Sequence, residues 1–327
     1  MIISQTPYRV SFFGGGTDYP AWYRQNGGQV LSTTIDKYLY ISCRYLPPFF
    51  DHRLRLVYRR IEECQHANEL IHPTAREVLQ FLHIDNELEI HYNGDLPARS
   101  GVGSSSAFTV GLLNALNAYL GKPISKLELA TESIYIEQEL VGEYVGSQDQ
   151  VNASYGGLNR IQFMQNGKIT VDPITASGER ISQLNSRLML FFTGIHRTAS
   201  DVAETYVANI SSRRPQLLKM QAMVNDATDI LSGPGDLDDF GSLLHESWME
   251  KRNLSAQVSN SQIDEVYENA RTAGALGGKL LGAGGGGMLL LYVPVGKQEQ
   301  VRRNLSKLIY VPFKFESNGS QIIFQNE

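Results

Sequence analysis

The chain has 327 residues, 42% hydrophobic and 19% charged, enough for a core in one large or two medium domains. A formal net charge of −5 and a pI near 5.9 exclude a broadly basic surface, so nucleic acid is not an expected partner. A phosphorylated small molecule needs only a few local cations and stays open.

Cys43 and Cys64 show no CxxC spacing, and the opening "MIISQTPYRVSFF" has no basic stretch followed by a long apolar one. No apolar run approaches the roughly 20 residues that a bilayer span requires. These features predict a reduced, cytoplasmic protein without a membrane partner, and they leave a homodimer open.

In chain order, strands are expected at "YRVSFF", "GQVLSTTI", "YLYISCRYL", "LRLVYRR" and "LEIHYNG", each bounded by Gly, Asn, Asp or Pro. A helix near "HPTAREVLQFL" interrupts them. Beyond Gly103, Leu112, Leu113, Leu116 and Leu120 share one helical face, and "GKP" at 121–123 ends that helix. Ser125 and Glu128 then form a capping-box pattern that opens a second helix. A second section begins with the strand "LMLFFT" near 185. A helical stretch over 198–275, broken by "SGPGD", follows it. Next come a glycine-rich turn leading into "MLLLYV", a helix over 296–308, and closing strands "YVPFKF" and "QIIFQ". Without regular βα repeats, this order predicts an α+β protein of two units, 1–184 and 185–327.

Three glycine loops stand out. "PARSGVGSSSA" (97–107) places Gly101, Gly103, Ser104, Ser105 and Ser106 directly before an apolar helix. Such a junction is either a helix cap or a phosphate cradle, in which glycines admit an anion to main-chain N–H groups. It has neither the lysine of a P-loop nor the spacing of a dinucleotide fold. "TPYRVSFFGGGTDY" reads as a strand ending at Gly15, Gly16, Thr17 and Asp18, where Asp18 could accept from substrate hydroxyls or simply stabilise a turn. "GAGGGG" (282–287) has more glycine than a hairpin requires, so its backbone is expected to approach a ligand or a neighbouring loop. Between these loops, Glu137 and Asp149 are the carboxylates most suited to phosphoryl transfer, which needs a metal ligand and a group to orient the acceptor hydroxyl.

These residues resemble a family. "PARSGVGSSSA", "KLLGAGGGG" and "TPYRVSFFGGGTDY" resemble, in order, the second, third and first signatures of the GHMP small-molecule kinases. The resemblance covers essentially the whole chain. It implies an N-terminal domain like the second domain of ribosomal protein S5 and a ferredoxin-like C-terminal domain. ATP would lie along Pro97 and Gly101–Ala107, including Val102. Mg²⁺ would be held by Ser105 and Glu137, with Asp149 as base and Arg9 beside it. Asp18 would bind sugar, together with Gly15, Gly16 and Thr17, and Gly282, Gly284, Gly285 and Gly286 would form the closing glycine loop. Gly15 and Gly16 replace the Glu-His pair of galactokinases, which argues against galactose. "FFGGGTDYPAWY", "VGEYVGSQDQ" and "TGIHRTASDV" are similar to bacterial kinases of D-glycero-D-manno-heptose 7-phosphate, which act on the anomeric hydroxyl. Arg99, His196 and Arg197 are candidates for the extra phosphate. A kinase of a free sugar such as fucose, or a non-catalytic ligand sensor of this fold, are the alternatives.

Overall fold

The computed structural model describes residues 1–195 and 210–326. Its first strand, β1 (Ile2–Phe13), is buried without a break from Thr6 to Phe13. The runs expected as two strands at 28–35 and 38–46 form one strand, β2 (Gly28–Tyr45). Asp36 and Lys37, which read as a boundary, fall at a bulge: Pro7 pairs with Tyr38, and Tyr8 with Ile35. A bulge bends and twists its strand, so the two halves of β2 meet different neighbours. Leu39–Tyr45 pairs with β5 (Leu88–Gly94), and Gly28–Thr33 pairs with β6 (Leu158–Phe163). The strands β3 (Leu54–Val57) and β4 (Ile61–Cys64), then β7 (Ile169–Pro173), extend the sheet on either side.

Helices of this half are Pro20–Asn26, Pro73–Phe81, Ser104–Tyr119, Lys126–Tyr135, Gln148–Tyr155 and Gly178–Arg187, here α1 to α6. The capping box at Ser125 and Glu128 forms with both of its bonds. Helix α3 (Ser104–Tyr119) differs from the expected one-faced stripe, because Ser106–Leu113 and Ala115–Asn117 are all buried. It lies between the sheet and the helices α2, α4 and α5, so it is apolar around most of its circumference.

The remaining described chain forms the strand Leu188–Phe192, three helices (α7 Arg214–Ser232, α8 Asp238–Arg252, α9 Ser261–Thr272), and the strands Gly277–Leu280 and Met288–Tyr292. A short helix Gln298–Asn304 and the strand Ile309–Val311 follow, completing a four-stranded antiparallel sheet. "YVPFKF" is not one strand. Its first part joins this sheet, whereas Phe315–Glu316 pairs with β2, and the last strand, Gln321–Gln325, pairs with β1. Pro312, which cannot donate to a ladder, lies in the gap. Helix α8 ties the two sheets together through Phe240, whose ring stands edge-on to Phe12 and Phe13 at 5.4 and 5.1 Å. The architecture is α+β. No helix among the described residues is long and apolar enough to cross a membrane.

The third glycine loop meets the second, and this contact explains its composition. A Cβ on Gly101 would stand 2.6 Å from the Leu281 carbonyl oxygen, and one on Gly282 would stand 2.8 Å from the Gly101 Cα. Likewise Gly287 abuts the Ser100 carbonyl, Gly284 that of Val258 and Gly286 that of Ile195. The Met288 N–H donates to Ser100 O at 2.8 Å, stitching the loops together. Gly101→Ala combines this clash with a φ of +83°. We expect it to lower Tm by more than about 5 °C in a thermal melt. Because Gly101 and Gly282 guard the same contact, the double alanine variant should lose less than the sum of the single losses.

Candidate active site

A cleft of about 810 Å³ runs between the first and second glycine loops, α3, α8 and the start of α5. At its centre Arg9 on β1 grips Asp149 on the first turn of α5. Arg9 Nε donates to Asp149 Oδ1, and Nη2 to Oδ2, each at 2.7 Å. Nη1 donates to the Gly101 carbonyl at 2.6 Å. The guanidinium is almost wholly buried, while the Asp149 side chain keeps 22% exposure toward the cleft. A bidentate pair of this kind fixes carboxylate orientation as well as charge.

Directly beside Asp149, Gly103 is the N-cap of α3, with φ 76° and ψ 28° and no side chain capping the helix. Its Cβ position would lie 3.3 Å from Asp149 Oδ2. The free N–H groups and positive end of a 16-residue helix therefore open into the cleft next to the Asp149 carboxylate. Ser104 and Ser105 line this rim, with Ser105 exposed. Val102 and Ala107 point into the core, and Pro97 is exposed away from the cleft wall.

Glu137 lies on a π-helical turn, Ile136–Leu140, that continues α4. Such turns shift the phase of a helix and recur at functional sites. The carboxylate is fully buried. Oε2 accepts from Ser106 Oγ at 2.9 Å and Gln150 Nε2 at 2.6 Å, and Oε1 accepts from Thr109 Oγ1 at 2.5 Å. Burial pushes Glu137 up to about 7, against the three hydrogen bonds that favour its charged form. The serine brought onto Glu137 is thus Ser106, while Ser105, which lines the cleft with it, stays exposed at the rim.

Asp18 is also buried. It accepts from the Gly16 N–H at 3.0 Å and the Gln148 N–H at 3.3 Å. Burial and then the Asp149 charge raise its pKa. A Cβ on Gly146 would stand 1.9 Å from Asp18 Oδ2, so a glycine at that turn makes room for the carboxylate. Thr17 is structural in its contacts: its hydroxyl donates to Gly14 O and Gln29 O and accepts from the Gln29 N–H.

Two lysines complete the floor. Lys251, at the end of α8, donates to Leu280 O and Gly282 O, and Lys279 donates to Phe12 O at 2.8 Å. Burial, then Arg9, pushes Lys251 down to about 7, opposed by Asp18 and Asp149. Burial, then Lys251, holds Lys279 well below a lysine's ordinary value. Arg99 (φ 61°) stands at the phosphate-loop rim, where its charge acts on Glu143. His196 and Arg197 lie outside the described residues. At the opposite end, His72 packs on Phe108 with ring centres 4.7 Å apart, beside Tyr58 and Tyr92. The rings are tilted or edge-on to one another, at 33°, 78° and 67°, and form an aromatic corner at that end of the cleft.

Lys251, Thr109 and Gln150 were missed from sequence, and Ser106, assigned there to ATP, was not foreseen as the partner of Glu137. Lysine at the C-terminal end of a helix ordinarily answers the helix dipole in solvent, and nothing local marks Lys251 as buried. Ser106 takes the place expected of Ser105 beside Glu137, and Gln150 sits one position from Asp149; only helix phase separates each pair.

Family models for the GHMP kinases N terminal domain and the GHMP kinases C terminal match residues 69–157 and 221–311. The D-glycero-alpha-D-manno-heptose 7-phosphate kinase of Campylobacter jejuni is 30% identical over 94% of this chain and 93% of its own. The bifunctional fucokinase/GDP-fucose pyrophosphorylase of Arabidopsis thaliana is 26% identical over 93% of this chain, which spans 31% of that protein. Among solved structures, a D-glycero-D-manno-heptose 1-phosphate kinase from Bacteroides thetaiotaomicron superposes over 100% of both chains, with a TM-score of 0.82 at 23% identity. Motif order, cleft geometry and these matches agree that the chain belongs to the GHMP kinases, phosphotransferases that act on an alcohol group.

Proposed function

We propose that this kinase transfers the γ-phosphoryl group of ATP, with Mg²⁺, to the anomeric C1 hydroxyl of D-glycero-D-manno-heptose 7-phosphate. In this reading residues 1–184 carry the nucleotide and catalytic motifs, and 185–327 supply the closing glycine loop. The observation that carries it is the meeting of two features at Gly103: an uncapped helix N-terminus and the Arg9-held Asp149 carboxylate. A phosphate seated on the first would place its γ-phosphorus next to a hydroxyl held by the second. The heptose reading is supported by the 30% relative and by Gly15 and Gly16, which leave room where galactokinases carry larger polar side chains.

In this mechanism the main-chain N–H groups of 101–106 bind the phosphates and stabilise charge on the transferring group, the Ala107 N–H being donated to the Gly103 carbonyl. Asp149, oriented by Arg9, accepts the acceptor proton as its oxygen attacks. Ser106, Thr109 and Gln150 hold Glu137 in one rotamer with one of its four lone-pair sites uncommitted. Hard oxygen donors of this kind suit Mg²⁺, which takes one or two protein carboxylates and otherwise phosphates and water. Glu137 would hold it together with Ser105 at the rim or with Ser106, whose hydroxyl reaches the carboxylate, and the bound ion would neutralise charge on the ATP phosphates. Arg99 stands at the cleft rim, Arg59 and Arg60 line the cleft as exposed cations, and Lys251 and Lys279 lie in its floor; these are available to acceptor or nucleotide phosphates, and His196 and Arg197 remain candidates. A site of this size fits one nucleotide and one small acceptor, neither of which is a nucleic acid or membrane.

The reading is tested by ADP release across a panel of sugars and sugar phosphates. Heptose 7-phosphate should give the highest kcat/KM. Strong preference for unphosphorylated fucose, the second reading that the fucokinase relative favours, would replace it. ADP release with no accepted sugar would return the sensor reading.

Acid should inactivate the enzyme. Glu137 is ionised only above about 7 in the free enzyme, so kcat/KM for Mg·ATP should fall as pH drops through that value. A profile flat from pH 6 to 8 would exclude a role for the ionised carboxylate.

A further inference from the structure

Gly14, Gly15 and Gly16 are adjacent, but the fold needs only two of them. A Cβ on Gly14 would stand 2.0 Å from Gln29 O, at φ +80°. One on Gly16 would stand 3.0 Å from Leu217, at φ +103°. Gly15 has no positive φ, and its Cβ would meet nothing closer than 3.9 Å. The two atoms at that distance are both polar: Ser11 Oγ and Gln148 Nε2. Gly15, Ser11 and Gln148 all line the cleft. Ser11 is 5% exposed, and its Oγ is buried with no hydrogen-bond partner among the described residues. Gln148 Oε1 is buried and unpartnered in the same sense. Buried polar atoms left unpaired cost stability, so they mark places where a ligand supplies the missing partner. Gln148 immediately precedes Asp149, and its N–H already holds Asp18.

We infer that the space over Gly15, between Ser11 and Gln148, seats a hydroxyl of the acceptor, and that these two side chains are specificity-determining residues. The inference rests on the reading of this cleft as an acceptor site, and on no particular sugar. Ser11 Oγ and the Gln148 amide can each donate and accept, so together they can bracket one hydroxyl or bridge a vicinal pair. Gly15 contributes only the absence of a side chain. A methyl there would occupy the seat without disturbing the backbone.

The test uses the full chain, ATP and the panel sugar that wild type turns over fastest, D-glycero-D-manno-heptose 7-phosphate on the reading above. Ser11→Ala and Gln148→Ala should each raise the acceptor KM about tenfold while KM for ATP stays within twofold. Gly15→Ala should raise it at least as much, with Tm within 2 °C of wild type. Gly178→Ala, equally open but on α6 away from the cleft, is the control and should change nothing. An acceptor analogue lacking the bracketed hydroxyl should lose much less on Ser11→Ala than the parent sugar does. Acceptor KM values within twofold of wild type in both Ser11→Ala and Gly15→Ala would overturn the subsite. If wild type prefers another sugar over the heptose, the substrate reading fails, and the same variants measured with that sugar still decide the subsite.

Discussion

Asp149→Asn should lower kcat by about 10³-fold, the range expected for loss of a general base, while nucleotide binding measured by calorimetry changes by less than fivefold. Arg9 now meets a carboxylate with both of its forked N–H groups. An asparagine offers one acceptor and turns an NH₂ group against the guanidinium, so the buried cation loses one of its three hydrogen bonds and its ion-pair partner. The variant should therefore also be less stable, because removing one member of a buried pair leaves the other uncompensated. Arg9 retains its bond to Gly101 O, which ties it to the phosphate loop and should preserve that loop's position. Arg9→Lys tests the orienting role separately. It keeps the charge, loses the fork, and should cost kcat more than acceptor KM. Near-normal turnover in Asp149→Asn would contradict the base assignment.

Glu137→Gln should separate activity from stability in the opposite sense. The amide oxygen can take the place of Oε2 and accept from Ser106 and Gln150. The amide NH₂ can then donate to Thr109 Oγ1, whose own proton already has the Ser105 carbonyl within 3.3 Å. Every hydrogen bond survives, and only the negative charge is lost. Because the folded carboxyl sits near 7 and the unfolded one near 4.5, burying its ionised form carries a cost that is absent below pH 4.5 and complete above 7. That cost is about 3 kcal/mol at pH 8, and the variant escapes it. Tm at pH 8 should accordingly hold or rise, while kcat falls at least 100-fold and the Mg²⁺ concentration for half-activity rises. A variant with wild-type Mg²⁺ dependence would remove Glu137 from the metal site. Loss of the acid limb in its residual activity would tie that limb to this group.

The family and the α+β class were legible because glycine loops are written in sequence as runs that no turn requires. "GVGSSSA" could be a cap or a cradle, and the structure leaves its helix without a side-chain cap. The third loop was legible as a close approach, but its partner, the Ser100–Gly101 backbone, lies nearly two hundred residues away. No local pattern names such a partner. Strand β2 was misread as two because Asp36 and Lys37 look like a turn, and a bulge in a long strand uses the same residues. The π turn under Glu137 moves its carboxylate onto Ser106, a phase shift that 3.6-residue periodicity does not anticipate. Lys251 was hidden most fully. Its chemistry comes from burial between α8 and the Leu280–Gly282 carbonyls, which only tertiary packing creates.

The glycines also differ in what they serve. Gly101 and Gly282 let two backbones touch, Gly146 makes room for Asp18, and Gly103 opens a helix end beside Asp149. These constraints converge on one cleft floor of Asp18, Asp149, Arg9, Lys251 and Lys279, beside the uncapped N-terminus of α3.

The most direct test of this account is ³¹P NMR of the product formed from ATP and D-glycero-D-manno-heptose 7-phosphate. The account predicts a doubly phosphorylated sugar whose new phosphorus couples to the anomeric proton, with one ADP formed per sugar consumed. A new phosphate on any other carbon, or ADP formed with the heptose 7-phosphate unchanged, would contradict it.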